Sequence, residues 1–582
     1  MWVAAGGAVG CPSVTGQVQP DWRNITNGFQ IPSAGYSDQA YVVVTRDQNW
    51  LAVLTTGQGR EGDPGQHIAS SISTDQGRTW SPLTPIEPAD GPEASWATPL
   101  LTPSGRVYVF YSFNGDRVRE LRGRRIRADM LGWYAFRYSD DHGRTWSKER
   151  HRLPVRVTEC DRTNDWRGAV QIFWGIDKPK VDNGVVMFGF TKLGQYMLGF
   201  GEGWFFRSDN ILTEPDVNQI RWQMLPEGET GLRAPEFGSI QEEFNAVPLG
   251  GDRWYCIYRT TNGFPCHSYS HDGGRTWTKP EPATYTPGGR ILKNPRACPR
   301  LFRCVNGKFL LWFHNHGGRT FESRNPAWVT GGTLREGLIH WSQPEILLYD
   351  DHVSTRMSYP DLVEQDGRYW ITETQKEICR VHPIEAALLE GLWTQGEVNQ
   401  VTQAGLVLEA EKAHLKKPAI PLPRLANLSR RGGFTLEVQV SFDDLSAGQV
   451  LLDSRDSGGR GLLLGTTSHS AVELVFSDGA LTNSWRCDAD LLKTNRPHHL
   501  GIIVDGGARI ISFLVDGVVC DGGRERQYGW GRFSPDLMDV NGDREARIAP
   551  SLKGRLLALR LYDRHLRHAG LIANYHAGLG GR

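Results

Sequence analysis

The sequence predicts an all-β fold in which a six-bladed β-propeller is followed by a β-sandwich, and three observations support this prediction. Glycine is abundant, at 67 of 582 residues, and glycine permits the tight turns that connect short strands. One eight-residue pattern recurs along the first part of the chain at multiples of about 65 residues. The last part of the chain alternates apolar and polar residues in short runs, as half-buried strands do.

The repeated pattern is S-x-D-x-G-x-T-W. It is intact at Ser73–Trp80, Ser139–Trp146 and Ser270–Trp277, with weaker copies near Trp222 and Trp341. In such a pattern the Asp caps turn amides, the Gly adopts a positive φ and the Trp packs across the turn. We therefore expect turns that serve the fold and not the chemistry. Six units fit between about residues 30 and 395, and a four-stranded unit repeated radially forms a propeller.

The predicted domain organisation has four segments. An N-terminal extension covers residues 1–30, the propeller covers 31–400, a proline-containing linker covers 401–425 and the sandwich covers 426–582. The linker is assigned from its looser composition, and the sandwich from its alternating apolar runs.

Two runs of the last segment resemble the laminin-G/concanavalin-like jelly-roll sandwich, in which two sheets pack face to face. They are His498–Val519 (HHLGIIVDGGARIISFLVDGVV) and Arg555–Gly578 (RLLALRLYDRHLRHAGLIANYHAG). The resemblance implies either a glycan-binding domain or a domain that supports its neighbour, and we expect the supporting role.

The composition argues against several classes of protein. Lys+Arg and Asp+Glu are equal at 65 each, which is unlike the basic excess of nucleic-acid binders. No apolar run reaches the length of about 20 residues that a membrane-spanning helix needs. The nine cysteines are scattered and no Cys/His group has zinc-ligand spacing, so we expect no disulfide framework and no cofactor. Met1–Gly10 lacks the basic start of a signal peptide.

The three intact boxes resemble the Asp-box (BNR) repeats of the sialidase superfamily, and the resemblance covers most of residues 30–395. It implies an exo-acting glycoside hydrolase that releases a terminal acidic or deoxy sugar from a glycan or polysaccharide. A glycan partner in turn implies a secreted or periplasmic location. Asp boxes also occur in propellers that are not enzymes, so the assignment depends on each catalytic position of the family.

The general acid/base of the family is an acidic residue in the loop before the first box. Asp63 occupies that loop here, and His67 is a second candidate four residues later. An Asp at the mouth of a blade is partly desolvated and therefore suited to carrying a proton. The alternative is that Asp63 is an ordinary turn residue and His67 a half-buried strand histidine.

The family also has a Glu followed sixteen residues later by an Arg, around a turn. Glu243 and Arg259 match this spacing, and residues on facing strands point to one pocket when the pleat places them on the same side. The resemblance implies that Glu243 activates a tyrosine and that Arg259 binds substrate oxygens.

The tyrosine of the family opens a strand pair with a later acidic residue. Tyr359 and Glu373 match it, although Pro360-Asp361 departs from the small polar residues that are usual there. The resemblance makes Tyr359 the nucleophile and Glu373 a supporting carboxylate. A neutral phenol suits this role because the anomeric carbon of sialic acid carries a carboxylate that would repel a carboxylate nucleophile.

Three arginines bind the substrate carboxylate in the family. Arg259 fits one of them and Arg324 another, but the first, expected in an N-terminal strand, is absent and Asp38 stands nearby. We expect this acidic residue to repel a carboxylate, which leaves the substrate open. The arginines that are candidates to replace the missing one are Arg60, Arg233, Arg296 and Arg300.

His314 and His316 lie two apart on one predicted strand. They form either a cation or sugar site or a pair of buried strand histidines. Two further functions remain open: a propeller polysaccharide lyase or His-dependent glycosidase acting on uronates, with His67 as the base, and a non-catalytic glycan-binding protein.

Overall fold

The computed structural model describes residues 20–411 and 414–578. Six antiparallel sheets of four or five strands follow one another over residues 29–384, which is the number of blades that the repeat predicts. Met1–Gly10 and Cys11 lie outside the described residues. The eight cysteines in the described residues are free and buried.

The strands of the first three sheets are short and connected in chain order. After β1 (Phe29–Ile31), the first sheet contains β2 (Tyr36–Val44), β3 (Trp50–Gly57), β4 (His67–Ser73) and β5 (Thr84–Pro85). The second contains β6 (Ala94–Leu101) and β7 (Val107–Phe113) and, after a hairpin of β8 (Glu120–Leu121) and β9 (Arg124–Arg125), β10 (Trp133–Ser139) and β11 (His151–Arg152). The third contains β12 (Phe173–Trp174), β13 (Lys180–Asp182), β14 (Val185–Gln195), β15 (Gly199–Ser208) and β16 (Gln223–Leu225).

The other three sheets repeat this arrangement. The fourth contains β17 (Glu242–Gly250), β18 (Arg253–Arg259), β19 (Cys266–Ser270) and β20 (Glu281–Pro282). The fifth contains β21 (Arg300–Arg303), β22 (Phe309–Phe313), β23 (Ala327–Arg335), β24 (Leu338–Trp341) and β25 (Glu345–Leu348). The sixth contains β26 (Leu362–Gln365), β27 (Arg368–Thr374) and β28 (Cys379–Ile384), and β1 completes it.

The six sheets form a closed ring. Each sheet shares a buried apolar cluster with the next one along the chain, and a sixth cluster joins the last sheet to the first. β1 pairs with β28 through Phe29 and Val381, so an N-terminal strand finishes the last blade. This closure leaves only short edges at the outside of the propeller.

The Asp boxes form the turns that their sequence predicts. In the first box the Asp75 carboxylate accepts the backbone N–H of Thr79 at 2.9 Å and its hydroxyl at 2.7 Å, and Ser73 accepts the N–H of Gly77 at 2.8 Å. The other two boxes repeat these bonds. Gly77 has a φ of 81°, a conformation that glycine adopts without a steric penalty.

Irregular backbone occurs at or just before the start of several inner strands, at one rim of the ring. Bulges interrupt β2, β6 and β17, and at each of them a residue other than glycine has a left-handed φ, namely Gln39 at 49°, Trp96 at 67° and Glu243 at 60°. Tyr359 has a φ of 44° just before β26. Bulges redirect side chains. A left-handed φ at a residue other than glycine costs about 1–3 kcal/mol and persists where the surrounding structure imposes it.

Two further sheets form the C-terminal unit. Its strands are β29 (Leu406–Glu411), β30 (Ala419–Pro421), β31 (Phe434–Phe442), β32 (Val450–Asp453), β33 (Gly461–Thr466), β34 (Val472–Ser477), β35 (Thr482–Arg486), β36 (Pro497–Asp505), β37 (Ile510–Val515), β38 (Val518–Val519), β39 (Trp530–Arg532), β40 (Glu545–Ile548) and β41 (Gly554–Tyr562). They make a seven-stranded and a six-stranded sheet that share one apolar core.

The segment predicted as a linker over residues 401–425 contains β29 and β30, which pair with β41 and β40. The short strands were missed because their burial comes from distant partners and not from a local pattern. The α-helices are α1 (Glu159–Thr163), α2 (Ala386–Trp393) and α3 (His568–Ala577). No helix in the described part of the chain is long and apolar enough to cross a membrane.

The C-terminal unit is bonded directly to the propeller. Arg23, before β1, donates to Asp505 at 2.7 Å. Trp530 donates its indole N–H to the carbonyl of Asn315 at 3.0 Å, and Arg532 donates to the carbonyl of Asn325 at 2.6 Å. Burial raises the pKa of Asp505, but Arg23 outweighs it and holds that pKa below its ordinary value.

Candidate functional site

Tyr359 and Glu243 meet at the irregular rim. The Tyr359 hydroxyl donates to Glu243 Oε1 at 2.6 Å. Arg259 Nη1 lies 2.8 Å from the same oxygen. Burial, and then the charge of Glu243, raise the pKa of Tyr359 well above its ordinary value. The phenol is therefore protonated at neutral pH, with a carboxylate in place to accept its proton.

A second carboxylate fixes the arginine. Arg259 Nη2 lies 2.7 Å from Glu242 Oε2, and Arg296 Nη2 lies 3.0 Å from Glu242 Oε1. Burial lowers the pKa of Arg259, but Glu243 and Glu242 outweigh it and raise that pKa. The positive φ of Glu243 is what allows two consecutive glutamates to approach one guanidinium.

Arg324 completes this group, which we name the tyrosine cluster (Tyr359, Glu243, Glu242, Arg259, Arg296 and Arg324). Arg324 is 6% exposed. Its Nη1 donates to Ser358 Oγ at 2.6 Å and its Nη2 to the carbonyl of Arg296 at 2.9 Å. Its buried Nε has no partner in the described residues. Burial, and then the charge of Arg259, lower the pKa of Arg324. No carboxylate forms an ion pair with Arg324 within residues 20–411 and 414–578.

A second group of charges faces the tyrosine cluster. Lys376 Nζ lies 2.5 Å from Asp38 Oδ2 and 3.0 Å from Glu61 Oε1. Arg127 lies 2.9 Å from Glu61 and 2.6 Å from Asp129. We name Lys376, Asp38, Glu61, Arg127 and Asp129 the lysine cluster.

The pKa values of the lysine cluster follow from these ion pairs. Burial raises the pKa of Glu61, but Lys376 and Arg127 outweigh it and hold that pKa at about 2. Burial lowers the pKa of Lys376, but Asp38 and Glu61 outweigh it and raise that pKa. Asp38, which has no exposed surface, has a raised pKa because its burial outweighs the charge of Lys376.

The two clusters meet at an aromatic contact. Lys376 Nζ lies 4.5 Å from the centre of the Tyr359 ring and 5.4 Å from that of Trp96. The rings of Trp96 and Tyr359 pack edge to face with their centres 6.2 Å apart. A cation over an aromatic face is stabilised by the ring quadrupole, so Lys376 is held over the candidate nucleophile.

Topology explains why these residues share a rim. Within each blade, the start of the inner strand, the end of the second strand and the start of the third lie at the same end of an antiparallel sheet. Glu243 lies at the start of β17 and Arg259 at the end of β18. Lys376 lies in the turn between β27 and β28, and Arg324 lies just before β23.

Asp63, Arg60 and His67 are not in either cluster. Asp63 is exposed, and its carboxylate accepts the backbone N–H of Arg60 at 2.7 Å. The Arg60 side chain is also exposed. His67 is buried and contacts the carbonyl of Gly65 at 3.0 Å. The structure instead brings Glu61 of the same loop into the lysine cluster.

Glu373, predicted to support the tyrosine, lies elsewhere. It is buried on β27, accepts from the Gln375 amide at 3.0 Å and lies 3.4 Å from His382. Tyr359 lies just before the neighbouring strand, but its proton acceptor is Glu243. The prediction was wrong about this contact because the sequence does not reveal which face of β27 a side chain occupies.

His314 and His316 are buried, and each contacts a different backbone carbonyl. His314 contacts the carbonyl of Pro326 at 3.3 Å, and burial lowers its pKa well below the ordinary value. His316 contacts the carbonyl of Ser323 at 2.8 Å and packs against Tyr528. Burial lowers the pKa of His316 to about 4. Within the described residues, no group of three or more His, Cys, Asp or Glu side chains is arranged to hold a metal ion.

The structure also identifies the cation near the place of the missing arginine. Among the candidates, Arg296 joins the tyrosine cluster, whereas Arg300 pairs with Asp177 at 3.3 Å. Lys376 is the residue that neutralises Asp38. The prediction that Asp38 repels a carboxylate did not include this lysine from the last blade, which forms an ion pair with Asp38.

Five residues of the site were not predicted from the sequence. They are Glu61, Arg127, Asp129, Glu242 and Lys376. Glu242 adjoins Glu243 and Glu61 shares the loop of Asp63, so proximity to a predicted residue was an available signal. Arg127 and Lys376 come from distant turns, and no local pattern distinguishes them from other surface cations.

The family model of the BNR repeat-like domain matches residues 48–371, more than half of the chain. The chain belongs to the BNR repeat-like domain family. In this BNR-repeat propeller the matched span contains the whole tyrosine cluster, whereas Asp38 and Lys376 of the lysine cluster lie outside it.

Solved structures with similarity to this BNR-repeat protein include sialidases. Trypanosoma rangeli sialidase in complex with the inhibitor DANA has 13% identity and a TM-score of 0.45, over 93% of this chain and 94% of that one. The Hadza microbial sialidase Hz136 has 16% identity and a TM-score of 0.45, over 62% and 69%. A protein of unknown function from Dyadobacter fermentans has 16% identity and a TM-score of 0.45, over 62% and 97%. No curated protein matches this sequence.

Proposed function

We propose that the protein is an exo-acting, retaining glycoside hydrolase that releases a terminal acidic sugar from a glycan. The observation that carries this proposal is the 2.6 Å bond from the Tyr359 hydroxyl to Glu243. A buried phenol bonded to a buried carboxylate, beside cations, is an activated nucleophile. Propellers that only bind glycans have no need of a strained tyrosine and glutamate in contact.

In the first step, Tyr359 Oη attacks the anomeric carbon while its proton passes to Glu243 Oε1. The bond from the anomeric carbon to the leaving oxygen breaks, and that oxygen takes a proton from Asp63. Water then attacks the anomeric carbon and gives a proton to Asp63, and the bond from that carbon to Tyr359 Oη breaks. Tyr359 recovers its own proton from Glu243 as it leaves.

Asp63 is assigned the acid/base role from its place at the rim. Its loop carries Glu61 into the lysine cluster, and the exposed Asp63 two residues later is the carboxylate that we assign to the leaving group. Glu61 is unsuited to donating a proton because its pKa is held at about 2. A general acid must hold its proton near the working pH.

The terminal sugar is proposed to be acidic because of Arg324. A buried guanidinium without a carboxylate partner in the described residues favours an anionic group from the substrate. Arg259 and Lys376 add positive charge near Tyr359. Each of these two is already paired, which leaves Arg324 as the main anion-binding group.

The test is a screen of terminal sugars released from mixed glycans, read by mass spectrometry. We expect release of one acidic sugar by the wild-type chain and a loss of about a thousandfold or more in Tyr359→Phe. Tyr138→Phe is the matched control, because its hydroxyl forms no hydrogen bond within the described residues and its ring lies on another blade, beside Arg106.

The screen also separates the other two functions. An unsaturated product absorbing in the near ultraviolet, with full activity in Tyr359→Phe, would identify a lyase. Saturable binding without turnover of any glycan would identify a non-catalytic binder.

A further inference from the structure

A groove of about 550 Å³ lies where the propeller meets the C-terminal unit. The aromatic side chains of Trp485, Tyr528 and Trp530 contribute to its lining, and Arg356 and Arg532 border it. The volume is within the range of about 300–1,000 Å³ that is typical of ligand sites. Largely apolar walls with a few polar groups are also typical of such sites.

The aromatic wall is fixed by its surroundings. Trp485 donates its indole N–H to the carbonyl of Gly529 at 3.1 Å. Gly531 allows the Trp485 ring to lie close to the backbone, since a Cβ at that position would lie 2.5 Å from the ring. The rings of Tyr528 and Trp530 pack edge to face with their centres 4.9 Å apart. The wall is thus formed before any ligand arrives.

The groove and the tyrosine cluster share two loops. In the first loop, Ser323 and Asn325 line the groove while Arg324 between them belongs to the cluster. In the second loop, Arg356 lines the groove, and Tyr359 follows three residues later. The same two loops therefore carry residues of the groove and residues of the tyrosine cluster.

The two arginines carry charge that the protein does not neutralise there. Arg356 is exposed and lies over the ring of Phe321 at 5.1 Å. Arg532 donates to the backbone carbonyl of Asn325. Neither guanidinium forms an ion pair with a carboxylate in the described part of the chain. The one acidic side chain that borders the groove is Glu322, so the lining has a net positive charge.

We propose that this groove binds the next sugar residue of the substrate chain, on the leaving-group side, and that this residue is anionic. The inference rests on the proposed function, because an exo-acting enzyme holds the terminal sugar at Tyr359 and all other sugars on the leaving-group side. The aromatic wall faces the apolar C–H faces of the sugar. Arg356 and Arg532 bind its carboxylate or sulfate.

The experiment compares three substrates on the full chain: an α2,8-linked sialic acid trimer, 3′-sialyllactose and an aryl sialoside. The variant Arg356→Ala/Arg532→Gln should lower kcat/KM for the trimer about tenfold, because it removes two charge contacts with the substrate. Turnover of the aryl sialoside, which has no second sugar, should be unchanged. Sialyllactose, whose next sugar is neutral, should change less than the trimer.

Arg335→Ala is the matched control, because Arg335 is exposed on β23 outside the groove. An equal loss on the trimer and the aryl sialoside, or no loss on the trimer, would overturn the proposal.

A second measurement does not depend on turnover. The trimer is titrated calorimetrically into Tyr359→Phe, with and without the two arginine substitutions. Weaker binding in the substituted chain by about tenfold supports the groove even if the wild type releases no sugar, whereas equal affinity or no binding at all overturns it. Failure of the proposed function is recognised separately, as an absence of sugar release from every substrate.

Discussion

Lys376, in the last blade, neutralises Asp38, in the first blade, with 2.5 Å between Nζ and Oδ2. β1 closes the ring and brings these blades together, although the two residues are 338 apart in the sequence. The same ammonium lies 4.5 Å from the centre of the Tyr359 ring. A lysine–aspartate pair therefore borders the candidate nucleophile, near where the family resemblance predicts an arginine.

Lys376→Met should destabilise the protein, since it leaves Asp38 buried without its counter-ion. Breaking such a pair costs about 1–3 kcal/mol after allowing for the partial exposure of Lys376. Urea unfolding measures this loss. The double variant Asp38→Asn/Lys376→Met should recover most of the stability, and equal stability of Lys376→Met and wild type would contradict the pairing.

Glu243→Gln should abolish proton transfer from Tyr359 while leaving the shape of the site intact. We expect kcat to fall by about 10²–10⁴-fold, the usual contribution of a general base. Glu242→Gln is the matched control, because Glu242 also pairs with Arg259 but does not accept from the Tyr359 hydroxyl. Steady-state kinetics with an aryl glycoside should therefore show a larger fall in kcat for Glu243→Gln than for Glu242→Gln. Equal falls in kcat would show that Glu243 acts only through its ion pair with Arg259.

The fold was predictable from the sequence to the extent that it depends on local patterns. The box Ser73–Trp80 forms its predicted hydrogen bonds because all the atoms lie within one turn. Glu243 and Tyr359 were also predictable, since each follows a motif of the family. Their contact depends on the bulge in β17 and on the left-handed φ of Tyr359 before β26, and no local pattern gives either of them.

The errors have a common physical cause. Glu373 and His314 were placed in the site because they are polar residues on strands near it, yet they are buried among partners of their own. Lys376 was overlooked although it lies in the site. Strand orientation and blade closure determine these positions, and both depend on contacts between residues far apart in the sequence.

Acid should weaken the protein through Glu61. The pKa of Glu61 is about 2 in the folded protein against an ordinary value of 4.5. Between these two pH values the unfolded chain therefore binds more protons than the folded protein does. The stability from this group is fully present above pH of about 4.5 and is lost as the pH falls towards 2. Allowing for partial exposure, we expect a loss of about 1–2 kcal/mol.

Urea unfolding at several pH values measures this loss. Glu61→Gln should show a flatter decline between pH of about 5 and 2, whereas Glu336→Gln, at an exposed position without an ion pair among the described residues, should follow the wild type. The same decline in Glu61→Gln as in wild type would assign the acid sensitivity to other carboxylates.

Asp63→Asn should slow hydrolysis in proportion to how much the leaving group needs a proton. A sugar alcohol is a poor leaving group, and loss of the general acid should cost about 10²–10⁴-fold. A nitrophenol leaves without protonation, so its release should change little in the first step. The measurement is kcat/KM for a natural glycan and for an aryl glycoside in the same variant. Because the Asp63 carboxylate also caps its own loop through the Arg60 amide, circular dichroism must show an unchanged fold. An equal loss on both substrates would mean that Asp63 supports the loop and that another group donates the proton.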